Sequence, residues 1–237
     1  MGTSLIKDIR LFESDVPNID YNSIPSYIGK LYKYDHIECL DIIQRLLFLL
    51  RYRGFGFDSF DHLYINFTPF VPHGEVRNVN RYNIKEFSWY QYVDAGCDPD
   101  IFNNWTINRK TDFIIENIKE AALIKCTDEQ QQLFTDTFDE VIRLGKDLLI
   151  PYKQKKNQNY NIEIFTRIDN ELNFIPLIRI NDKSGTLKTE KKLRNYGRDE
   201  FIAQMGNITI GRSFVRIAPR KNQHTDFYDL TPIKIEW

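Results

Sequence analysis

The residues best suited to metal chemistry are Asp61-His62 and His73-Gly74-Glu75, at either end of a short strand-like run and a proline turn. Two imidazoles with nearby carboxylates are ordinary ligands for a divalent ion. His62, His73 and Glu75 are therefore one candidate site. The competing reading makes both histidines surface residues near turns, because no HxH or HExxH spacing accompanies them. His36 and His224 stand alone. There is no G-x-S-x-G elbow, Walker A loop or dinucleotide-binding fingerprint. The one Gly-spaced run, Gly54-Phe55-Gly56-Phe57, follows a helical stretch instead of opening one. It reads as a helix stop with aromatic packing and not as a phosphate cradle. No cofactor is expected.

Two further groups of residues suit binding. Lys191, Lys192 and Arg194 crowd one C-terminal stretch beside Tyr196. Arg212, Arg216, Arg220 and Lys221 crowd another. Arginines on a strand face beside an aromatic ring could bind nucleic acid, although Glu190, Asp199 and Glu200 could equally balance a solvated face. The second group is Trp89, Tyr90 and Tyr92 with Asp94, Asp98 and Asp100. Aromatic rings among carboxylates suit a surface that captures a basic partner protein and anchors it. The alternative is that the rings are core and the carboxylates solvate it.

The elements that must position these residues follow from periodicity. A helix is expected from about Asp35 to Arg53, with Asp35 as N-cap, Glu38 in capping-box spacing and Gly54 just past its end. Leu46 to Leu50 widens its apolar stripe, so it should be buried on most sides. The alternation Leu63, Ile65, Phe67 against Tyr64, Asn66, Thr68 predicts a strand stopped by Pro69 and Pro72. Leu5 to Phe12 reads as a strand or a short helix. Glu75 to Val79 and Trp89 to Val93 are further short strands. Helices are expected over about 108–125 and from Thr127, with Gln130 closing a capping box and Pro151 ending the second. Beyond the polar stretch Lys153 to Asn161 the period becomes two. Ile162 to Ile168 and Leu172 to Ile180 predict a hairpin about Asp169-Asn170, with Pro176 at an edge or bulge. Phe201 to Met205, Ile208 to Ile210, Phe214 to Ile217 and Ile233 to Ile235 are the remaining strand candidates.

Helices come first and strands last, which argues for an α+β fold, a helix-rich N-terminal part packed on an antiparallel β-rich C-terminal part. A length of 237 residues fits one domain, and a division into 1–152 and 153–237 is the alternative. Charge divides in the same place. Residues 1–150 carry 16 Lys and Arg against 23 Asp and Glu, net −7; residues 151–237 carry 16 against 10, net +6. Such asymmetry bears on partners, not on fold. Cys39, Cys97 and Cys126 are odd in number and widely spaced. That excludes a disulfide framework and predicts reduced thiols in a cytoplasmic protein. The longest apolar run, Leu46 to Leu50, is too short to span a bilayer.

The segment Leu46 to Asp94 carries a resemblance. An apolar helix ends at Arg53-Gly54. The strand His62-Leu63-Tyr64-Ile65-Asn66-Phe67-Thr68-Pro69 follows, then Gly74-Glu75-Val76-Arg77 and Trp89-Tyr90-Gln91-Tyr92-Val93-Asp94. In this the chain resembles the immunity proteins of bacterial polymorphic-toxin systems, over about a fifth of its length and without a catalytic signature. The resemblance implies a stoichiometric inhibitor that binds a cognate toxin and blocks its active site. The basic C-terminal part departs from the acidic character common among inhibitors of nuclease toxins, which leaves the toxin class open. Binding without catalysis is the leading expectation. The alternatives are a metal-dependent enzyme or binder acting on nucleic acid, and a structural subunit of a bacterial or phage assembly.

Overall fold

A computed structural model describes residues 4–17, 24–79, 88–220, 228 and 230–237. His224 and Lys221 lie outside them. The fold is α+β, in two compact units, 1–143 and 144–237. The division falls ahead of Pro151, yet it separates charge as sharply as the division at 150: the first unit carries 15 Lys and Arg against 22 Asp and Glu, net −7, and the second 17 against 11, net +6. Among the described residues no helix is long and apolar enough to cross a membrane.

The first unit runs β1 (Asp8–Glu13), β2 (Ser26–Tyr27), α1 (Ile37–Tyr52), β3 (His62–Thr68), β4 (Val76–Asn78), β5 (Tyr90–Gly96), α2 (Pro99–Asn103), α3 (Ile107–Lys125) and α4 (Asp128–Leu144). Its sheet has the order β2-β1-β3-β5-β4. The three central strands are parallel and the two edge strands antiparallel to their neighbours. α1 is thus a crossover between parallel β1 and β3. Periodicity alone could not reveal it, because Leu5 to Phe12 fits a strand or a helix equally well.

Helix α1 is buried on most sides, as its wide apolar stripe requires. Even Arg45 is inside, paired one turn back with Asp41 at 2.6 Å. Its start differs from the expected cap. The Asp35 carboxylate accepts the Ile37 N–H at 3.0 Å, but the helix begins at Ile37 with His36 in the cap position. Its end is as expected. Gly54 adopts φ +78°, a left-handed conformation cheap only for glycine. The Gly54 and Phe55 N–H groups bond back to the Arg51 and Leu50 carbonyls, the Schellman arrangement. Phe55 and Phe57 are fully buried behind it. At the start of α4 the Gln130 side chain accepts the Thr127 N–H at 2.9 Å, one half of the expected capping box. That helix ends at Leu144. Leu148 and Leu149 lie beyond it, and Pro151 sits in an edge strand where its missing N–H costs nothing.

The second unit holds a four-stranded antiparallel sheet of β6 (Ile150–Lys156), β7 (Tyr160–Ile168), β8 (Phe174–Asp182) and β9 (Leu187–Lys192), then α5 (Arg198–Gln204). β10 (Asn207–Ile210), β11 (Phe214–Ala218) and β12 (Ile233–Glu236) form a three-stranded antiparallel sheet. The expected hairpin is β7–β8, but β8 is an interior strand. Pro176 fits there because pairing on that side is bulged, as expected: between the pairs Leu177–Lys192 and Phe174–Tyr196 two residues of β8 face three of the partner segment, and the Pro176 carbonyl accepts the Leu193 N–H at 3.0 Å. Phe201 to Met205, expected as a strand, lies mostly within α5. Asp199 and Glu200 occupy the first turn of that helix, where its dipole favours them, and Phe201 packs on Phe174 at 5.4 Å between ring centres.

Leu172 does not join the strand alternation. It sits in the β7–β8 turn at φ 62°, held by Asp169 Oδ1, which accepts the Glu171 and Asn173 N–H groups. A branched side chain there costs about 1 kcal/mol, a cost asparagine largely avoids. Leu172→Asn is expected to raise the unfolding free energy by roughly 0.5–1 kcal/mol. Urea titrations of the two proteins check this, and a destabilised variant would mean that the half-buried leucine contributes more by packing than its backbone costs.

Candidate functional site

The two faces of the first unit's sheet differ in kind. Leu63, Ile65 and Phe67 alternate onto one face, where α3 packs and Phe67 meets Phe113 at 6.3 Å. α1 touches both α3 and β1, which puts it on that face too. The opposite face carries His62, Tyr64, Asn66 and Thr68 from β3, and Tyr90, Tyr92 and Asp94 from β5, because side chains alternate with period two. Arg10 and Phe12 join them from β1, in register with Tyr64 and Asn66. This face therefore pairs aromatic rings with charged and amide groups.

Phe12, Tyr64 and Tyr92 form a buried cluster at 4.9–5.5 Å between ring centres, with Val79 and Tyr90 packed against it. Burial pushes the Tyr64 hydroxyl up to about 12, against the opposing pull of Arg10, whose guanidinium lies 5.6 Å from the Tyr64 ring. At the rim Tyr27 stacks on Phe12 at 4.9 Å and remains 59% exposed. At another rim Trp89 meets Tyr90 and His62 at 4.9 and 4.7 Å and remains 42% exposed. Mounting the rings on three hydrogen-bonded strands spends their ordering entropy in folding, before any partner arrives.

The candidate partner-binding residues divide along β5. Trp89 and Tyr90 lie at its start with their rings accessible. Tyr92 and Asp94 are buried, and Asp94 accepts the Asn66 amide N–H at 2.8 Å. Asp98 and Asp100 follow the far end, about 20 Å from Trp89 at the rise of a strand. Asp98 is the N-cap of α2, its carboxylate accepting the Asp100 and Ile101 N–H groups at 2.8 and 3.2 Å. Asp100 is exposed. Trp105, away from this face, packs on Phe102 and His73 and carries the Arg109 guanidinium at 4.4 Å.

The candidate metal ligands are separated. His62 opens β3 and pairs through Nδ1 with Asp61. Burial raises the Asp61 carboxyl, but hydrogen bonds from Lys7, His62 and Ser4 outweigh it and hold that carboxyl below its usual range. His73 lies past the other end of the strand, stacked on Phe113 at 5.2 Å, with Nδ1 accepting the Asp98 N–H at 3.0 Å. Glu75 is exposed and paired with Arg77 at 2.7 Å. Among the described residues no group of three or more His, Cys, Asp or Glu side chains is placed to hold a metal ion.

The basic candidates also fall on different elements. Lys191 and Lys192 lie exposed on β9, an edge strand, where lysine discourages further strand pairing. Arg194 stacks on Tyr196 at 4.1 Å and pairs with Glu200 at 2.6 Å. Arg212 precedes β11, and Arg216 faces Thr209 and Lys234 across the three-stranded sheet. Sequence reasoning missed Phe12, Tyr27 and Arg10 on the aromatic face. The ring-and-polar alternations His62-Tyr64-Asn66 and Tyr90-Tyr92-Asp94 are the signal in the sequence for each strand's half of that face, and the parallel register joins the halves.

The cysteines are free, and burial pushes Cys39 up to about 11 and Cys97 and Cys126 up to about 12. Thiols so raised are poor nucleophiles at neutral pH. Lys125 shifts oppositely. Burial lowers its ammonium to about 8, while Nζ donates to the neutral amides of Gln91, at 2.9 Å, and Asn78. The unfolded chain, with an ordinary lysine near 10.4, binds the extra proton over this interval. Stability should therefore rise as pH increases from about 8 to about 10.5, by roughly 1–2 kcal/mol after allowance for partial solvation. Lys125→Met should flatten that rise, as measured by urea unfolding at pH 7.5 and 10. An identical pH dependence in the two proteins would assign the rise to other groups. Comparison with family models, curated proteins and solved structures returned no match to this chain.

Proposed function

We propose that the chain is a non-catalytic protein-binding module of the immunity type, acting in the cytoplasm by occluding a basic toxin domain. The observation that carries the reading is the exposure of Trp89 and Tyr27 at the rim of a rigid aromatic cluster, in a unit of net charge −7. Pre-ordered aromatic anchors supply binding energy at low entropic cost, and an acidic surround speeds capture of a basic partner.

The test begins with a tagged pull-down from the native lysate, with nuclease treatment, followed by titration of the recovered partner. Trp89→Ala is expected to weaken binding by about 2 kcal/mol, close to 30-fold. Asp100→Lys is expected to slow association, more at low salt than at high salt. Asp98 is unsuitable for charge reversal, because the change would also remove the α2 cap. A stoichiometric partner whose affinity ignores Trp89→Ala and Tyr27→Ala would remove the aromatic face from the reading.

A further inference from the structure

Among the described residues, three cations of the second unit meet without a counter-charge. Lys153 and Lys155 project from edge strand β6 to the first residues of the three-stranded sheet, where Lys153 Nζ donates to the Gly206 carbonyl and Lys155 Nζ to the Ile208 carbonyl at 2.5 Å. Arg220 donates through Nη2 to the Tyr152 hydroxyl at 3.0 Å, and its own N–H is pinned on the Ala203 carbonyl at 2.8 Å. All three partners are neutral oxygens. Among the described residues none of these cations pairs with a carboxylate, whereas Lys188, Arg179 and Arg194 of the same unit pair with Asp182, Glu190 and Glu200 at 2.5–3.0 Å.

The groups are close enough to disturb one another. Burial first, then the charges of Arg220 and Lys155, lower the Lys153 ammonium below its ordinary range. Holding three like charges together costs free energy that an anion would return. Among the described residues each ammonium spends one of its three N–H donors on a carbonyl, and the guanidinium spends one of its five on the phenol. The unspent donors suit an oxyanion with several acceptor atoms. A lysine strut that merely closed the edge of β10 would need neither a second lysine nor the arginine.

We propose that Lys153, Lys155 and Arg220 form a binding site for a phosphate group, either free or in the phosphodiester backbone of a nucleic acid strand. The unit's net charge of +6 favours either source, since both arrive as anions. The site stands apart from the protein-binding reading, which concerns the first unit.

The experiment uses the whole chain and reads its melting temperature in sodium phosphate against sodium chloride at matched ionic strength, and with an added single-stranded oligonucleotide. Direct titrations of both probes follow. Arg220→Gln is the chosen variant, because it leaves both lysine–carbonyl bonds in place; its melting curve in chloride verifies the fold. The expected result is stabilisation of the native chain by one or both probes, with affinity falling about ten-fold or more in Arg220→Gln. A response to oligonucleotide alone identifies the diester as the source, and a response to phosphate alone identifies a small phosphate compound. No response to either probe, or equal responses in the native chain and the variant, would overturn the proposal. On binding, the Lys153 ammonium should take up a proton more readily, which nitrogen-detected NMR of the lysine side chains reads independently.

Discussion

Glu13→Ala is expected to lower the unfolding free energy by about 3–4 kcal/mol, the largest loss from any single carboxylate in the first unit. Glu13 ends β1 with only 3% of its surface exposed, and its carboxylate accepts four consecutive backbone N–H groups, from Gly29, Lys30, Leu31 and Tyr32, at 2.9–3.1 Å. A hydrogen bond to an ionised acceptor contributes more than a neutral one, and removing the acceptor strands every donor at once. The full sum is not expected, because Gly29 and Lys30 are exposed and water can reach them. Glu13→Gln should cost about 2 kcal/mol, since the amide keeps one oxygen but turns an N–H₂ toward donors. Urea unfolding with an unchanged slope measures both. Native-like stability in the alanine variant would mean that the 29–32 turn satisfies its N–H groups without the carboxylate. The turn leads to Tyr32, whose hydroxyl donates to the Cys97 carbonyl at 2.7 Å, so its loss should also loosen the end of β5.

Gly96→Ala should be comparably severe, for a steric reason. A Cβ at this position would lie 1.8 Å from the Pro72 carbonyl oxygen and 2.7 Å from that of Val71. Both obstacles are main chain, so no rotamer change relieves them, and the 71–75 loop must move by more than an ångström. That movement would break the paired bonds Gly74 N–H to Gly96 O and Gly96 N–H to Glu75 O, at 2.9 and 2.7 Å. It would also pull His73 from the Asp98 N–H. A loss of about 3 kcal/mol or more is expected. In the titrations that test the aromatic face, partner affinity at Trp89 should survive in whatever fraction remains folded, because Trp89 sits at the opposite end of the strand. Thermal unfolding of the variant supplies the measurement; a melting point within a degree or two of the native chain would show that the loop yields freely.

Much of the local structure was legible from residue types. Gly54 after a buried apolar run ends α1, because left-handed backbone at a helix end is cheap only for glycine. The alternation Leu63-Ile65-Phe67 made β3 a strand, and the isoleucines from 162 to 168 made β7 one. These rest on interactions within a few residues. Phe201 to Met205 misled for the complementary reason. A short apolar run fits a strand or a helix, and packing of Phe201 against Phe174 and Tyr152 decided for helix. Pro176 was legible as an edge or bulge residue, and the pairing with a third strand decided for the bulge.

The chemistry was less legible than the fold. Period-two reasoning could say that Tyr64 and Asn66 share a face, and that Tyr90, Tyr92 and Asp94 share one. It could not say that these are the same face, since that depends on the parallel register of His62 with Tyr90, set between residues far apart in the chain. Nor could it separate His62 from His73, which are close in sequence but at opposite ends of β3, or bring Lys153 and Arg220 together from distant positions. By itself the sequence determined the α+β class, the charge division between two halves, the helix stop at Gly54 and the strand alternations, all of which are properties of neighbouring residues or of sums over them. Tertiary structure alone decided which rings are exposed, which carboxylates are engaged as caps and which cations bond neutral oxygens, because register, burial and desolvation are set by contacts between residues far apart in the chain.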